Sequence, residues 1–401
     1  MRTDAHNPDN PPRPRVLRAA VAVWAVLMLG ISVRVLVAPV HSHNVFGVYH
    51  KAAENWVGGH DLYAYQPGLD VFHYSPLAAA GMVPFGALPV KVGGVLWRLA
   101  NAAALLGGLA WCCRALWPHF SASRRGWLFL LVVPLSVASL NNGQSNALVL
   151  GLILLGLAAC ARERWWLAAF LVSGAVALKV YPVAVGMLLA ACYPRRFAPR
   201  FAVGLVAAAV VPFALQSPDY VLGQYRSWFA AVSADDRSGL PLHLWLRDIR
   251  LLFHVWLVPL SPLGFASIQL AVAALIAGVC VLGRRCGWGA PRVLTTVLGL
   301  GCCWMTVFGP MVESCTWILV APALAAGFID GGRWRRVALG GSGALFMIDM
   351  SFGWWRGGRE YRGWGLQPTA GLLMFGTLLV GAVAELRRKR AEPEAVVRKA
   401  A

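Results

Sequence analysis

The sequence predicts an all-α polytopic membrane protein, with about 12 membrane helices of roughly 20 residues or less, some in re-entrant pairs. Three observations predict it. Hydrophobic residues make up 58% of the 401-residue chain and charged residues only 13%, with a mean hydropathy of +0.61, whereas globular chains carry roughly 25% charged residues. The hydrophobic segments come in pairs, and basic clusters fall at every second junction: Arg124-Arg125, Arg162/Arg164, Arg195-Arg196/Arg200, Arg284-Arg285, Arg333/Arg335-Arg336 and Arg387-Arg388-Lys389-Arg390. Cytoplasmic loops retain Lys and Arg, so these clusters mark the cytoplasmic face and put both termini there. The alternate junctions carry His41, His43, His50, Glu54, Asp61, Asp70, Asp235, Asp236, Asp248, Glu313 and Glu360. Chemistry is expected on that outer face.

The elements follow in order. Residues 1–15 form a polar, Pro-rich cytoplasmic tail, and Val16 to Val37 is too long an apolar run for a cleavable signal, so it reads as a retained first span. Arg34 near its outer end snorkels to the interface. In the outer loop 40–75, Val45 to Val57 spaces Val48, Tyr49, Ala52, Ala53 and Trp56 as an amphipathic helix on the membrane surface, ended by Gly58-Gly59. Pro76, Pro84 and Pro89 break the next stretch into a short interfacial or re-entrant helix before a full span from about Val90 to Ala115. Trp127 to Leu140 and Ala147 to Ala161 form a hairpin whose outer tip is Asn141-Asn142-Gly143-Gln144-Ser145-Asn146. A second hairpin, Leu167 to Cys192, has only about 26 residues at ~1.5 Å each, too few for two spans. Its tip, Lys179-Val180-Tyr181-Pro182, should lie within the outer leaflet, where broken helices occur only if protein or a cavity covers them. One span (Phe201 to Leu215) leads to the outer loop 216–262. Spans near Leu263–Leu282, Val293–Phe308, Cys315–Ile329 and Val337–Met350 follow, then an outer loop at 351–367. A last span reaches Glu385, and 387–401 is a basic tail. The membrane domain is therefore 16–386, with no internal repeat.

Composition excludes several classes. The net charge of +19 is split among short loops rather than gathered in a stripe with aromatics, which argues for topology and anionic headgroups and against nucleic acid. The nine cysteines lie mostly in apolar runs without a C-x-x-C pair, which argues against a disulfide framework or zinc site. His41, His43, His50 and His60 are irregularly spaced, so no metal and no cofactor is expected.

Four groups of residues could carry chemistry. Glu313 begins a span with little else ionisable nearby, and ionisable residues at membrane depth are costly and functional; a water-exposed interface position is the competing reading. Glu54 reads as a candidate base or a solvated helix residue, and Asp61 as a catalytic acid or a turn cap. Lys179 at a re-entrant tip, with Arg356, Arg359 and Arg362 crowding an outer loop against the positive-inside trend, suits a phosphate, or for the Arg group anionic headgroups or Glu360. Trp354, Trp355 and Trp364, like Trp228, Trp245 and Trp256, fit an aromatic belt.

Several segments share an order with a known family. They are Val48-Tyr49-His50-Lys51-Ala52, Gly59-His60-Asp61-Leu62-Tyr63, Phe72-His73-Tyr74-Ser75-Pro76-Leu77, Asn142-Gly143-Gln144-Ser145-Asn146 and Lys179 to Pro182. In this the chain resembles glycosyltransferase family 87, the polyprenyl-phosphomannose-dependent α-mannosyltransferases of the C-fold class, over about its first half, weakening after Phe201. The resemblance implies a cell-membrane enzyme that takes a sugar, mannose by analogy, from a polyprenyl-phosphate donor to a lipid or glycan acceptor on the outer face, with inversion. It implies Tyr49, His50, Tyr63, Asn142, Gln144, Asn146 and Tyr181 as substrate contacts. Family members carry an Asp just before the V-Y-x-x-A segment; here His43-Asn44-Val45-Phe46-Gly47 has no carboxylate. Glu313, Glu54 and Asp61 are the candidates to replace it. A transporter or flippase of lipid-linked sugars and a non-catalytic glycolipid-binding relative are the alternatives. The sequence fixes no oligomeric state.

Overall fold

The computed structural model describes residues 15–39, 45–234, 237, 239–353, 356–358 and 360–400. Of the residues singled out above, His41, His43, Asp235, Asp236, Trp354, Trp355, Arg359, the side chain of Arg356 and nearly all of the N-terminal tail lie outside them. Among the described residues every regular element is a helix. Seven helices are long and apolar enough to cross a bilayer, and five apolar helical segments of 10–17 residues accompany them. The molecule is a multi-pass membrane protein.

Helix α1 (Arg15–Val37) is followed by α2 (Phe46–Gly58), α3 (Pro76–Gly86) and α4 (Val90–Ala115). The hairpin expected around Asn142 is α5 (Ala122–Asn142) and α6 (Asn146–Ala161), and the short one around Lys179 is α7 (Trp165–Leu178) and α8 (Val183–Cys192). At 14 and 10 residues these last two are too short to cross at ~1.5 Å per residue, so the backbone breaks between them inside the protein. Next come α9 (Ala198–Leu215), α10 (Pro218–Ala234), α11 (Ile249–Trp256), α12 (Pro262–Arg285) and α13 (Ala290–Cys303). A π-helical turn (Trp304–Phe308) ends α13, a 3-10 stretch (Ser314–Val320) begins α14 (Ala321–Asp330), and α15 (Arg333–Phe352) and α16 (Leu366–Ala400) complete the chain.

Helix α6 is the axis of the N-terminal half. It packs between α4 and α7, and small residues let the backbones meet: a Cβ on Gly151 would collide with the Ala104 backbone, and one on Gly108 with the Gly151 carbonyl. Close packing of this kind drives helix association where lipid removes the hydrophobic incentive. The α13–α14 region is buried along the other half of the same continuous core.

Four elements differ from their sequence reading. The apolar face of α2 (Val48, Tyr49, Ala52, Ala53, Trp56) is buried against α3, Trp97 and the 62–72 segment instead of being open to lipid. The stretch 216–262, expected as an outer loop, contains two α-helices, and α10 docks Val221 and Gln224 onto the core formed around α2 and α3, Gln224 accepting from the Leu62 N–H at 2.8 Å. Helix α16 continues without a break into the basic tail, and α15, read as a span, is not among the seven long apolar helices.

Candidate active site

The turn between α5 and α6 is held from beneath by three side chains of α4. Gly143 takes the left-handed conformation that ends α5 (φ 72°), and a Cβ there would strike the Arg98 guanidinium. Arg98, 1% exposed, donates to the Asn141 carbonyl at 3.1 Å and to Gly94 at 2.9 Å. The Trp97 indole donates to the Gly143 carbonyl at 2.8 Å, and Asn101 accepts from the Leu148 N–H at 3.0 Å. Arg34 of α1 holds the Asn141 side chain at 2.8 Å. A buried guanidinium on an apolar span is thus committed to fixing one turn, whose next residue is Gln144.

Glu313 is fixed from both flanks. The chain leaves the π-helical turn through Gly309, where the Met305 carbonyl leaves no room for a Cβ, and through Met311 in the left-handed region (φ 53°). A non-glycine residue there costs about 1–3 kcal/mol and is held only where its surroundings enforce it; π-turns likewise concentrate at functional sites. The Arg247 N–H donates to the Val312 carbonyl at 2.6 Å. Ser314 accepts from Arg362 at 2.7 Å and from Gln367 at 2.9 Å. Glu313 itself caps the 3-10 stretch, bonding reciprocally with Thr316. Behind this frame, Arg362 faces the buried Asp349 carboxylate at 4.0 Å, and Arg247 donates to the Arg362 carbonyl.

These supports bring distant residues together. Gln144 donates to Glu313 Oε2 at 2.6 Å and accepts from Asn146 at 3.2 Å and from Lys179 Nζ at 3.4 Å. Tyr181 donates to Asn146 Oδ1 at 3.0 Å. Lys179 lies 5.5 Å from the centre of the Tyr74 ring and 5.7 Å from that of Tyr181, within cation–π range. Tyr49 donates to Tyr74 at 2.6 Å and accepts from the Ser145 N–H at 3.3 Å. Arg237 reaches Glu313 Oε1 at 3.4 Å. A carboxylate and an ammonium are therefore bridged by one amide, with a guanidinium beside the carboxylate.

The charges shape one another. Burial opposes ionisation of Glu313, but Lys179, the Gln144 hydrogen bond and Arg237 outweigh it and hold the carboxyl below its ordinary value. Burial lowers Lys179, with the Glu313 charge working against that loss. Glu313 still exposes 34% of its side chain, so protein surrounds it closely while one side stays open to a small group.

The other sequence candidates sit elsewhere. Glu54 is half-exposed and pairs with His50 (3.3 Å) and Lys51 (3.1 Å); five residues on from the buried Tyr49, it points about 140° away around α2. His50 also contacts the Leu88 carbonyl. Asp61 caps its turn by accepting from the Tyr63 N–H at 3.1 Å, and the Tyr63 hydroxyl donates to the Tyr74 carbonyl at 2.8 Å. The Asn142 carbonyl accepts from Val45. Arg362 is engaged with Ser314 and Asp349.

Sequence reasoning gave no role to Arg237, Arg98 and Asp349, and it named Tyr74 only within the Phe72–Leu77 segment. A signal existed for the first three. Arg237 is a cation in a loop expected on the outer side, against the positive-inside trend, and Arg98 and Asp349 are ionisable residues within hydrophobic segments.

The sequence model of glycosyltransferase family 87 matches residues 72–310, more than half of the chain. The match extends well past Phe201, where the motif resemblance fades. It contains Tyr74, Gln144, Asn146, Lys179, Tyr181 and Arg237, and it stops just short of Glu313. No curated protein matches the chain.

Proposed function

We propose that this chain, which belongs to glycosyltransferase family 87, uses the Glu313–Gln144–Lys179 cluster to move a sugar from a polyprenyl-phosphate donor to an acceptor hydroxyl. The enzyme is a multi-pass membrane glycosyltransferase. In our reading the donor sugar is mannose, the acceptor a lipid or glycan, and the reaction runs at the outer face of the cell membrane with inversion.

The observation that carries this is the single amide joining a carboxylate to an ammonium. Inverting transfer needs a base at the acceptor and positive charge at the departing phosphate, on opposite sides of the sugar's anomeric carbon. Glu313 takes the acceptor hydroxyl proton as the oxygen bonds to that carbon. The bond from carbon to phosphate oxygen breaks, and its electron pair leaves with the lipid phosphate. General-base help of this kind contributes about 10²–10⁴-fold, and a preorganised cation where charge develops contributes comparably. Lys179 supplies the cation, flanked by Tyr74 and Tyr181. Arg237 is bonded to Glu313 at 3.4 Å; moving to the donor phosphate would add a second cation there and raise the basicity of the carboxylate it leaves. Gln144, Asn146, Tyr181 and Tyr49 orient the sugar.

This assigns to Glu313 the task the missing first-loop Asp performs elsewhere in the family. The absence of that Asp also favours a second reading, a relative that binds lipid-linked sugar without turnover. Incubating purified protein with radiolabelled polyprenyl-phosphomannose and a panel of hydroxyl acceptors, and determining the anomeric configuration of any product, decides between them. An inverted glycoside supports transfer. Donor binding without product under all acceptors supports the second reading.

A further inference from the structure

Glu313 and Asp330 are the two ends of one segment. Its seven 3-10 residues and ten α residues rise ~2.0 and ~1.5 Å each, roughly 29 Å in all, close to the ~30 Å hydrocarbon thickness of a bilayer. At the Asp330 end, away from the candidate active site, Trp117, Arg292, Thr295, Thr296, Asp330 and Arg335 line a small cavity of about 60 Å³. At ~10–15 Å³ per water on this measure, it has room for about four to six waters, or for one phosphate group.

The charges around it do not balance. Asp330 pairs with Arg124 at 3.5 Å and with His119 at 3.2 Å. Glu385 pairs with Arg292 at 2.6 Å. Arg335 remains: its Nε is buried without a hydrogen-bond partner, and among the described residues no carboxylate pairs with it. The Arg292 Nε is also buried without a partner. Each guanidinium has five N–H donors in a planar fork, so Glu385 leaves Arg292 with donors to spare. Within the lining, two arginines, Arg292 and Arg335, face one carboxylate, Asp330, in a pocket of phosphate size, where unmet donors are costly. The same end of the molecule carries Arg284-Arg285, Arg336 and Arg387-Arg388, the clusters that mark the leaflet rich in anionic headgroups.

We propose that the Arg292–Arg335 cavity binds the phosphate headgroup of an anionic membrane lipid, in the leaflet opposite the candidate active site. This site is independent of the transfer reaction. It would dock a lipid where α13, α14, α15 and α16 converge, tying the C-terminal helices to the Arg124 junction.

The test is thermal unfolding of the purified full chain in detergent, titrated with short-chain phosphatidic acid, short-chain phosphatidylcholine or inorganic phosphate. Phosphatidic acid should raise the Tm of the native protein, and in Arg335→Gln the concentration needed should rise roughly 10- to 150-fold, as for loss of a charge-assisted contact. Arg336→Gln, which alters an exposed neighbour, should respond like the native protein. Arg335→Lys, which keeps the charge and loses the fork, carries the comparison if Arg335→Gln does not fold, and it too should require more lipid. A response to inorganic phosphate as strong as to phosphatidic acid would overturn the lipid source and leave the free ion as the ligand. Equal stabilisation by phosphatidylcholine, or an unaltered response in the Arg335 variants, would overturn the site.

Discussion

Replacing Lys179 should move the titration of Glu313, and the direction follows from the structure. The two groups share Gln144, which accepts from Lys179 at 3.4 Å and donates to Glu313 at 2.6 Å. An amide between them puts the charges roughly 6 Å apart, where an effective dielectric of ~20 gives about 3 kcal/mol. Glu313 keeps one side open, so solvent screening reduces this to about half. Lys179 helps hold the carboxyl below its ordinary value. Removing the positive charge lets the carboxylate protonate at higher pH, so base activity is lost sooner as pH falls. In the native protein kcat/KM should stay level until pH has fallen below the ordinary carboxylate range, because the carboxyl is held below its usual value. In Lys179→Met the acid limb should move to higher pH, on top of a general loss of roughly 10- to 150-fold from the missing phosphate contact. The assay is the pH profile of kcat/KM with polyprenyl-phosphate sugar in a fixed detergent. A profile that falls in rate but keeps its acid limb unmoved would refute the electrostatic link.

Further outcomes follow from the supporting structure. Arg98→Met should leave the Asn141 carbonyl without its donor and cost about 1–3 kcal/mol, read as a lower Tm. Arg362→Ala removes the hydrogen bond to Ser314 and one of the two cations, with Arg247, that face the buried Asp349 carboxylate, and should destabilise by about 1–3 kcal/mol, while Arg362→Met combined with Asp349→Leu should recover part of that loss in the same melt. A cysteine introduced at Gly59 should react with an impermeant thiol reagent in intact cells and one at Ser121 should not, and the reverse pattern would turn the molecule over.

Much of the fold was legible because membrane helices announce themselves locally. Apolar runs and their basic boundaries marked α1, α4, α9, α12 and α13 within a few residues. The short hairpin at Lys179 was legible from length alone, since its residues could not reach across and back. Glu313, Gln144, Asn146, Lys179 and Tyr181 were each singled out as residues, but no local pattern could say that they meet, because Gln144 and Glu313 are 169 positions apart. Sequence periodicity gives α2 an apolar face without saying what covers it, and lipid and α3 are equally apolar. Helix α10 went unread because its apolar face is slight, with only Val221 and Gln224 fully buried. Arg237 was hidden by its loop: its relation to Glu313 depends on how that loop folds back over the bundle.

The most direct measurement compares native protein and Glu313→Gln for both donor binding and single-turnover transfer. Gln keeps the shape and removes the basicity. The account predicts near-native affinity for the polyprenyl-phosphate sugar in the variant, together with a loss of transfer of at least about 10²-fold. Near-native transfer by Glu313→Gln would contradict it, and the base would then have to be another group.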